Sequence, residues 1–265
     1  MFDIRNKRKR VVLQLILLLM TIPYAVPLIQ MVLGSLGGIG LGNYKAVWAT
    51  GVVPTFFRNS AIIAVGVIIL VYFFSMTAGF AFAKLHIKGK ELFFWLILAA
   101  LTLPEVIMLT PLFVTFQKLH MYNTFFAVIF PSAALQLPFA ILLTRNYDTG
   151  IPDALMEAAR IDGAGEIRIF NTIVLPLMKP AIAVQAIFTF VESWNNYFTP
   201  NLIIRSKMKK TLPILLAELR NSDWKTFDMG QVYAMIAFAI FPVIIVYLLL
   251  SRYIVGGVTA GGVKE

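Results

Sequence analysis

The sequence predicts an all-α membrane protein that crosses the bilayer several times. Of its 265 residues, 59% are hydrophobic and only 14% are charged, and its mean hydropathy is +0.82. A soluble domain typically contains about 45–50% apolar and about 25% charged residues, so this chain has too few charges to cover a soluble surface. Six stretches are apolar over roughly the 20 residues that a membrane-spanning helix needs.

These stretches predict six transmembrane helices within a single transmembrane domain over residues 1–265. The predicted spans are 11–33, 60–83, 92–114, 125–144, 181–204 and 232–254. A basic cluster precedes the first span, but the apolar run is too long for a signal peptide and no small-residue cleavage site follows it. We therefore interpret it as an uncleaved anchor. The glycine-rich segment 34–55 is predicted to be a loop, with Tyr44 and Trp48 at the membrane interface.

The distribution of positive charge predicts that both termini lie in the cytoplasm. Cytoplasmic segments of membrane proteins are enriched in Lys and Arg, and basic clusters occur at 5–10 and 84–90. Six spans then return the C-terminus to the same side. One predicted outer segment opposes this trend, and its basic residues either meet an acidic partner or form a solvated loop. They are Arg205, Lys207, Lys209, Lys210, Arg220 and Lys225.

Composition also excludes several kinds of active site. The chain has no cysteine, and its two histidines, His86 and His120, are far apart, so we expect no catalytic site and no metal site. It lacks the glycine-rich G-x-x-x-x-G-K-[ST] loop that binds nucleotide phosphates. The net charge of +10 does not indicate nucleic-acid binding, because no basic amphipathic face alternates with stacking aromatic residues.

The longest predicted cytoplasmic connection, 145–180, contains the signals of two short helices. Pro152 and Asp153 suit a helix N-terminus, and Gly163 suits the left-handed residue that follows a helix C-terminus. A second helix is predicted from Gly165 and Glu166 onward, closed by Pro176.

One face of the first of these helices has small side chains that would let another protein approach its backbone closely. It is formed by Leu155, Ala158, Ala159 and Asp162, which lie three or four residues apart. The residues alone support two interpretations equally: docking in a groove of a partner protein, and packing as a cap on the chain's own helices.

Polar residues within the predicted fifth span indicate a possible solute path, because charge in lipid is unfavourable and usually functional. Glu192, Asn195, Asn196 and Thr199 recur at helical spacing, with Trp194 alongside. Carboxylate, amide and aromatic groups would suit a hydroxyl-rich solute. The alternative is that these groups form hydrogen bonds with another subunit.

A second polar position lies in the predicted third span, where Glu105 follows Pro104. Proline kinks a membrane helix and frees backbone carbonyls. Glu105 therefore either lines a path at a hinge or lies near the outer interface, close to Lys118.

Several segments resemble those of ATP-binding-cassette (ABC) importer permeases, and the resemblance covers essentially the whole chain. The residues from Glu157 to Gly165, E-A-A-R-I-D-G-A-G, followed by I-V-L-P ending at Pro176, are similar to the E-A-A loop of the carbohydrate-uptake branch. The 252–264 tail is very similar to the end of the second permease subunit of maltose-type transporters. Other matching pieces are Asn43-Tyr44, Arg58-Asn59-Ser60 and Glu192-Ser193-Trp194-Asn195.

The resemblance implies one half of a sugar path in a bacterial or archaeal cell (inner) membrane, for an oligosaccharide or a related carbohydrate. The implied partners are a homologous second permease in a heterodimer, two ABC ATPase subunits, an extracytoplasmic solute-binding protein and membrane lipids, but not nucleic acid. The chain itself would have no cofactor and would not be an enzyme, since ATP and magnesium would bind to the partner ATPase.

The resemblance also assigns residues to the contact with the ATPase. Glu157 would make polar contacts in the ATPase cleft, and Gly163 would set the angle of the turn. The implied coupling residues are Glu157, Ala158, Ala159, Arg160, Asp162, Gly163 and Gly165, and the implied tail residues, within the cytoplasmic tail 255–265, are Thr259, Gly261 and Gly262.

The alternative is a secondary transporter driven by an ion gradient. Such proteins have broken helices that meet at the membrane midplane, together with charged ion sites. Only Glu192 and Glu105 are available as charged groups, and a structured helical loop outside the membrane would have no explanation.

Overall fold

The computed structural model describes residues 7–219 and 227–261, and all regular structure in those residues is helical. Two compact units are present, Met1–Pro54 with Leu216–Ile240 and Thr55–Leu215 with Phe241–Glu265. The single transmembrane domain stays a prediction. The helices are α1 Lys7–Ser35, α2 Gly42–Ala49, α3 Val52–Lys84, α4 Lys90–Ala99, α5 Glu105–Lys118, α6 Phe126–Thr149, α7 Asp153–Ile161, α8 Glu166–Ile169, α9 Leu175–Leu177, α10 Lys179–Asn195, α11 Phe198–Ile203, α12 Leu212–Glu218 and α13 Met229–Gly261.

Four of these helices contain a segment that is long and apolar enough to cross a membrane by itself. They are α1, α3, α6 and α13, and they correspond to the first, second, fourth and sixth predicted spans. The other candidate spans are bent pairs. Lys90–Thr102 and Glu105–Lys118 meet at 99°, and Glu166–Leu177 and Lys179–Asn195 meet at 76°. Counting each bent pair once gives up to six spans in a helical polytopic membrane protein, although the first half of the second pair, Glu166–Leu177, belongs to the connection predicted to lie outside the membrane.

The predicted span 92–114 is therefore not one straight helix. A 3-10 turn, Ala100–Thr102, ends the first half, and both Leu103 and Pro104 are extended before α5 begins. The ring of a proline disfavours the helical conformation in the residue before it, which places the break at Leu103. The second proline of this region, Pro111, lies within α5 without ending it.

The predicted span 181–204 is also interrupted. Helix α10 ends at Asn195, Asn196 is extended, and α11 starts at Phe198. A continuous helix would place the Pro200 ring against the carbonyl of Asn196, four residues earlier. In the observed fold Pro200 lies in the first turn of α11, where its missing N–H has no intrahelical acceptor to lose.

In the first unit, part of the segment predicted as a loop is helical. The turns around Gly38 and Gly40, both at positive φ, lead into α2. The Asn43 side-chain amide donates to the carbonyls of Ser35 and Gly37, at 3.0 and 2.7 Å, which ties α2 to the end of α1. This side chain satisfies backbone groups that the glycine-rich turns leave open.

The second unit is organised by the packing of α3 against α6. Membrane helices approach closely where small residues line the contact. Gly66 lies against Ile129, and Gly79 lies against Thr144, whose hydroxyl donates to the carbonyl of Ser75 at 2.9 Å. The two glycines therefore define the line along which these helices cross.

Gly79→Ala should destabilise the protein more than Gly66→Ala. A Cβ at Gly79 would collide with the Thr144 side chain and would lie 3.1 Å from the backbone nitrogen of Arg145, which cannot move freely. At Gly66 it would meet the flexible end of Ile129 at 2.8 Å. Overpacking typically costs about 1–3 kcal/mol.

The measurement is thermal unfolding of the two variants in detergent, monitored by size-exclusion chromatography. A lower midpoint for Gly79→Ala is the expected result. Equal midpoints would contradict a tight crossing at Gly79.

Candidate functional site

The predicted helix in the longest connection is present, and its end has the predicted geometry. Helix α7 follows extended Pro152 and is succeeded by Gly163 at φ +79°. The N–H of Gly163 donates to the carbonyl of Arg160 at 3.0 Å, and that of Ala164 donates to the carbonyl of Ala159 at 2.9 Å. These two bonds form a Schellman motif, in which a left-handed glycine ends the helix. Gly165 has an ordinary φ of −75°.

The second helix of the connection differs from the prediction, because Pro176 does not close it. The chain runs from α8 through a π-helical turn, Phe170–Val174, into the short α9, with Pro176 in its first turn. Since Pro176 lacks an N–H, a new helical turn can begin there without losing a bond. The chain bends at Met178, and α10 then begins. We call residues 153–177 the α7–α9 hairpin.

The inner side of the α7–α9 hairpin packs against α3. Met156 and Ile169 of the hairpin are fully buried in a cluster that contains Met76 and Phe80 of α3. Ala159, which the sequence placed on the docking face, packs against the same cluster. The interpretation of the hairpin as a cap on the chain's own helices is therefore correct for this side.

Lys84 at the end of α3 fixes the start of α7, which the sequence did not predict. Its ammonium donates to the carbonyl of Ile151 at 2.6 Å and to the Asp153 carboxylate at 2.7 Å. The hydrogen bond from Lys84 lowers the pKa of Asp153, which keeps that carboxylate ionised at neutral pH. The same ammonium attracts the carboxylate of Asp148, which is fully buried at the end of α6.

The outer side of the hairpin exposes large apolar side chains. Ile161 is 87% exposed and Ile167 is 80% exposed, and Leu155 is exposed beside them. Arg160 and Glu166 form an ion pair at 2.8 Å across the turn. Of the other implied coupling residues, Glu157, Ala158, Asp162, Gly163 and Gly165 are exposed. The sequence reasoning did not select Ile161 or Ile167, although their apolar character in a charged segment was a usable signal.

A cavity of about 290 Å³ lies within the second unit, between the 3-10 turn Ala100–Thr102, the start of α5, α6 and α10. It has two carboxylates in its wall, Glu105 at the start of α5 and Glu192 on α10. Its other polar lining residues are Gln136, Gln185 and Thr189. The bend between α4 and α5 forms one side of the cavity, so the break at Pro104 contributes directly to it.

Glu105 connects the two interrupted spans. One oxygen of its carboxylate, Oε1, accepts a hydrogen bond from the Thr199 hydroxyl at 2.5 Å and a second from the Asn196 side-chain amide at 3.2 Å. The Asn196 side-chain oxygen Oδ1 accepts from the backbone N–H of Thr199 at 3.3 Å, which satisfies one free N–H in the first turn of α11. The start of α5 and the start of α11 are thus joined through one carboxylate.

The predicted polar stripe is therefore divided by the helix break. Glu192 lines the cavity and Asn195 is exposed at the end of α10, whereas Asn196 and Thr199 lie beyond the break and contact Glu105. Trp194 is only 3% exposed and stacks on Phe190, so it is not part of the cavity wall. Glu105, for which two locations were open, belongs to the cavity.

The segment after α11 is held by three side chains at the same end of the unit. Asn59 donates to the carbonyls of Met208 and Lys210, and the Ser60 hydroxyl accepts from the N–H of Leu212. Asn123 accepts from the backbone N–H groups of Arg205 and Ser206. The Asn59-Ser60 pair thus has a structural role. Two basic residues of the predicted outer segment, Arg220 and Lys225, lie outside the described residues.

Helix α13 continues beyond the predicted end of the sixth span at residue 254. It extends to Gly261, so the first part of the predicted tail, including Thr259 and Gly261, has a helical backbone. Gly262 lies outside the described residues.

These features are typical of a membrane transport component: interrupted apolar helices line a half-open cavity with two carboxylates in its wall, and a hairpin exposes apolar surface. The chain belongs to the family of binding-protein-dependent transport system inner membrane components, whose model matches residues 75–259. It is therefore a multi-pass inner-membrane permease subunit and not an enzyme. ATP hydrolysis in such systems belongs to a separate subunit.

Two curated relatives are permeases for oligosaccharides. The arabinooligosaccharides transport system permease protein of Halalkalibacterium halodurans is 39% identical over 225 residues, covering 84% of this chain and 79% of the relative. Its namesake from Bacillus subtilis is 34% identical, with 96% of each chain covered. The comparisons give the alternative of an ion-gradient transporter no support.

A solved structure shows the same fold. A bacterial ABC transporter involved in the import of the acidic polysaccharide alginate superimposes with a TM-score of 0.74, over 96% of this chain and 99% of that chain. The sequences are 24% identical. The interrupted spans of this chain therefore do not by themselves indicate a secondary transporter.

Thr199→Val should loosen the link between the two interrupted spans. Valine has the shape of threonine but cannot donate to Glu105, and losing a hydrogen bond to a charged group typically costs about 1.5–3 kcal/mol. Thr199→Ser retains the hydroxyl and serves as the control. We expect a lower unfolding midpoint for the valine variant than for the serine variant. The reverse order would show that the buried methyl group of Thr199 matters more than its hydrogen bond.

Proposed function

We propose that this chain forms half of the translocation path of an ABC importer for an oligosaccharide, and that the α7–α9 hairpin couples it to the ATPase. The names of the 39% and 34% identical relatives support an oligosaccharide as the solute. The observation that carries the coupling role is the two-sided hairpin. It is anchored to α3 on one side and exposes Ile161 and Ile167 on the other.

The anchoring explains how movement could be transmitted. Met156 and Ile169 pack on α3, and Lys84 holds the first residue of α7. A force on the exposed side would therefore act on α3, and through α10, which follows the hairpin, on a wall of the cavity. Close packing transmits such a displacement because protein interiors are nearly incompressible. In this proposal Glu157, Arg160 and Asp162 provide polar contacts around the apolar residues.

The cavity is the proposed solute-contacting part of the path in this subunit. Ligand sites combine apolar walls with a few polar groups, and the volume of about 290 Å³ is close to the lower limit for such sites. Glu192 and Glu105 face the solute directly in this proposal. Asn196 and Thr199 position Glu105, and Asn195 at the exposed end of α10 contributes at the rim. Trp194 is left out because it is buried elsewhere.

The partners follow from the same proposal. A second, homologous permease completes the path, a solute-binding protein delivers the sugar, and two ATPase subunits bind ATP and magnesium, since this sequence has no P-loop. The basic clusters at 5–10 and 84–90 support cytoplasmic termini. The helical end of α13 at Thr259 and Gly261, with Gly262 beyond it, would then extend toward the ATPase side.

Gly163→Ala should reduce transport, whereas Gly165→Ala should not. A Cβ would meet no atom within 4 Å at either position, so the two variants differ only in backbone conformation. At φ +79° an alanine costs about 1–2 kcal/mol, but at φ −75° it is unstrained. The measurement is uptake of a labelled arabino-oligosaccharide by cells, with the membrane level of each variant determined in parallel. We expect a several-fold lower uptake for Gly163→Ala at an unchanged level. Equal uptake by both variants would contradict the coupling role.

Ile161→Ser should weaken binding of the ATPase subunit without unfolding the permease. The side chain is 87% exposed, so its replacement removes little packing within this chain. Burial of an isoleucine in an interface contributes about 1.5–3 kcal/mol. The measurement is the amount of ATPase subunit that copurifies with the permease, and Asn171→Ser, at an exposed polar residue of the π-helical turn, is the control. Undiminished copurification would place the ATPase contact elsewhere.

A further inference from the structure

The charged side chains that line the cavity all have the same sign. Among the described lining residues, Glu105 and Glu192 are charged, and none is Lys, Arg or His. Glu105 Oε1 is engaged by Thr199 and Asn196. Glu192 has no hydrogen bond or ion pair within residues 7–219 and 227–261, so its charge is not neutralised by this part of the chain.

A buried amide, that of Gln185, also belongs to this wall. Gln185 is only 4% exposed, and its amide nitrogen donates to the Ser75 hydroxyl at 2.6 Å. Its carbonyl oxygen Oε1 is buried and has no partner. A buried acceptor without a donor is destabilising, which is tolerated at sites that a ligand completes. The wall therefore combines the unpaired Glu192 carboxylate with Glu105, whose Oε1 is engaged, and with this buried amide behind them.

This arrangement discriminates between solutes by their charge. Hydroxyl and ammonium groups can donate to carboxylate and amide oxygens, but a carboxylate cannot, and it is also repelled by Glu105 and Glu192. Within a cleft, effective dielectric constants are far below that of water, which strengthens the repulsion of an anion.

We propose that this cavity acts as a charge filter, which accepts neutral and amino-bearing saccharides and excludes saccharides that contain carboxylates, such as uronic acids. Glu105 and Glu192 are the residues that determine this specificity. The inference rests on the proposed function, because it takes the cavity to be part of the solute path. It also distinguishes this chain from its structural neighbour, a transporter involved in the import of an acidic polysaccharide.

The absence of cysteine from this chain permits a direct test of the filter. A single reporter cysteine is introduced by Ala100→Cys, at a small, partly buried residue of the cavity wall, in the assembled transporter. Two methanethiosulfonate reagents are compared, one with a cationic trimethylammonio group and one with an anionic sulfonato group. The rate at which each reagent modifies the reporter cysteine is divided by the rate at which the same reagent reacts with a free thiol. Modification of this chain is followed by mass spectrometry.

The cationic reagent should react about tenfold faster than the anionic one, or more, as expected for a cleft with carboxylate walls. Combining the reporter with Glu105→Gln and Glu192→Gln should bring the ratio of the cationic rate to the anionic rate close to one. The control Glu91→Gln removes a glutamate that pairs with Arg145 at 2.7 Å and does not line the cavity, so it should leave the ratio unchanged.

A ratio near one in the parent reporter, or a ratio that the two glutamine substitutions do not change, would overturn the proposal. Leu101→Cys, at an exposed residue of the same wall, provides a second reporter. If neither reagent modifies either reporter, water does not enter the cavity, and the proposal fails.

Uptake of the labelled arabino-oligosaccharide by the same cells separates this result from the proposed function. If uptake depends on Gly163 but the ratio of the two rates is near one, the proposed importer function stands and the charge filter is rejected. A high ratio without uptake would leave a charged cavity that is not a sugar path, which rejects both the proposed function and the filter.

Discussion

The structure depends on how backbone groups are satisfied where a membrane helix is interrupted. Unpaired N–H and C=O groups in lipid are strongly unfavourable, so a break persists only where protein or water supplies partners. Here the Asn196 side chain satisfies one N–H of α11, and one oxygen of Glu105 binds both Asn196 and Thr199. A single carboxylate thus stabilises the region where two interrupted spans meet. Because the cavity lies beside these breaks, the groups that stabilise them also determine its chemistry.

At the other end of α6, the α7–α9 hairpin is held by a different combination of forces. Its inner face is apolar and packs on α3, while Lys84 supplies a charged hydrogen bond to Asp153 and another to a carbonyl. Its outer face is left without cover, with two isoleucines exposed to solvent. A small element that packs firmly on its own chain on one side and exposes apolar side chains on the other is suited to transmit motion between subunits.

Broken helices did not distinguish the two transport mechanisms that the sequence left open. They were expected for an ion-gradient transporter, yet this chain has two interrupted spans and belongs to the binding-protein-dependent family. Proline in a membrane helix has the same local effect in both classes, since it removes one donor and restricts the residue before it. The more informative feature was the hairpin, whose exposed apolar face fits the proposed contact with a partner subunit.

The sequence by itself determined the helical membrane fold, four spans, helix α7 and its left-handed cap at Gly163, because these follow from local hydropathy and local backbone preference. It also contained the signals of both breaks, Pro104 and Pro200, which a hydropathy criterion overlooks since the surrounding residues are apolar. Only the tertiary structure decided that Trp194 is buried, that Lys84 holds Asp153, and that Glu105 joins Asn196 and Thr199. The glutamate lies more than 90 residues from those two partners, and such pairings depend on how helices pack, which no local pattern encodes.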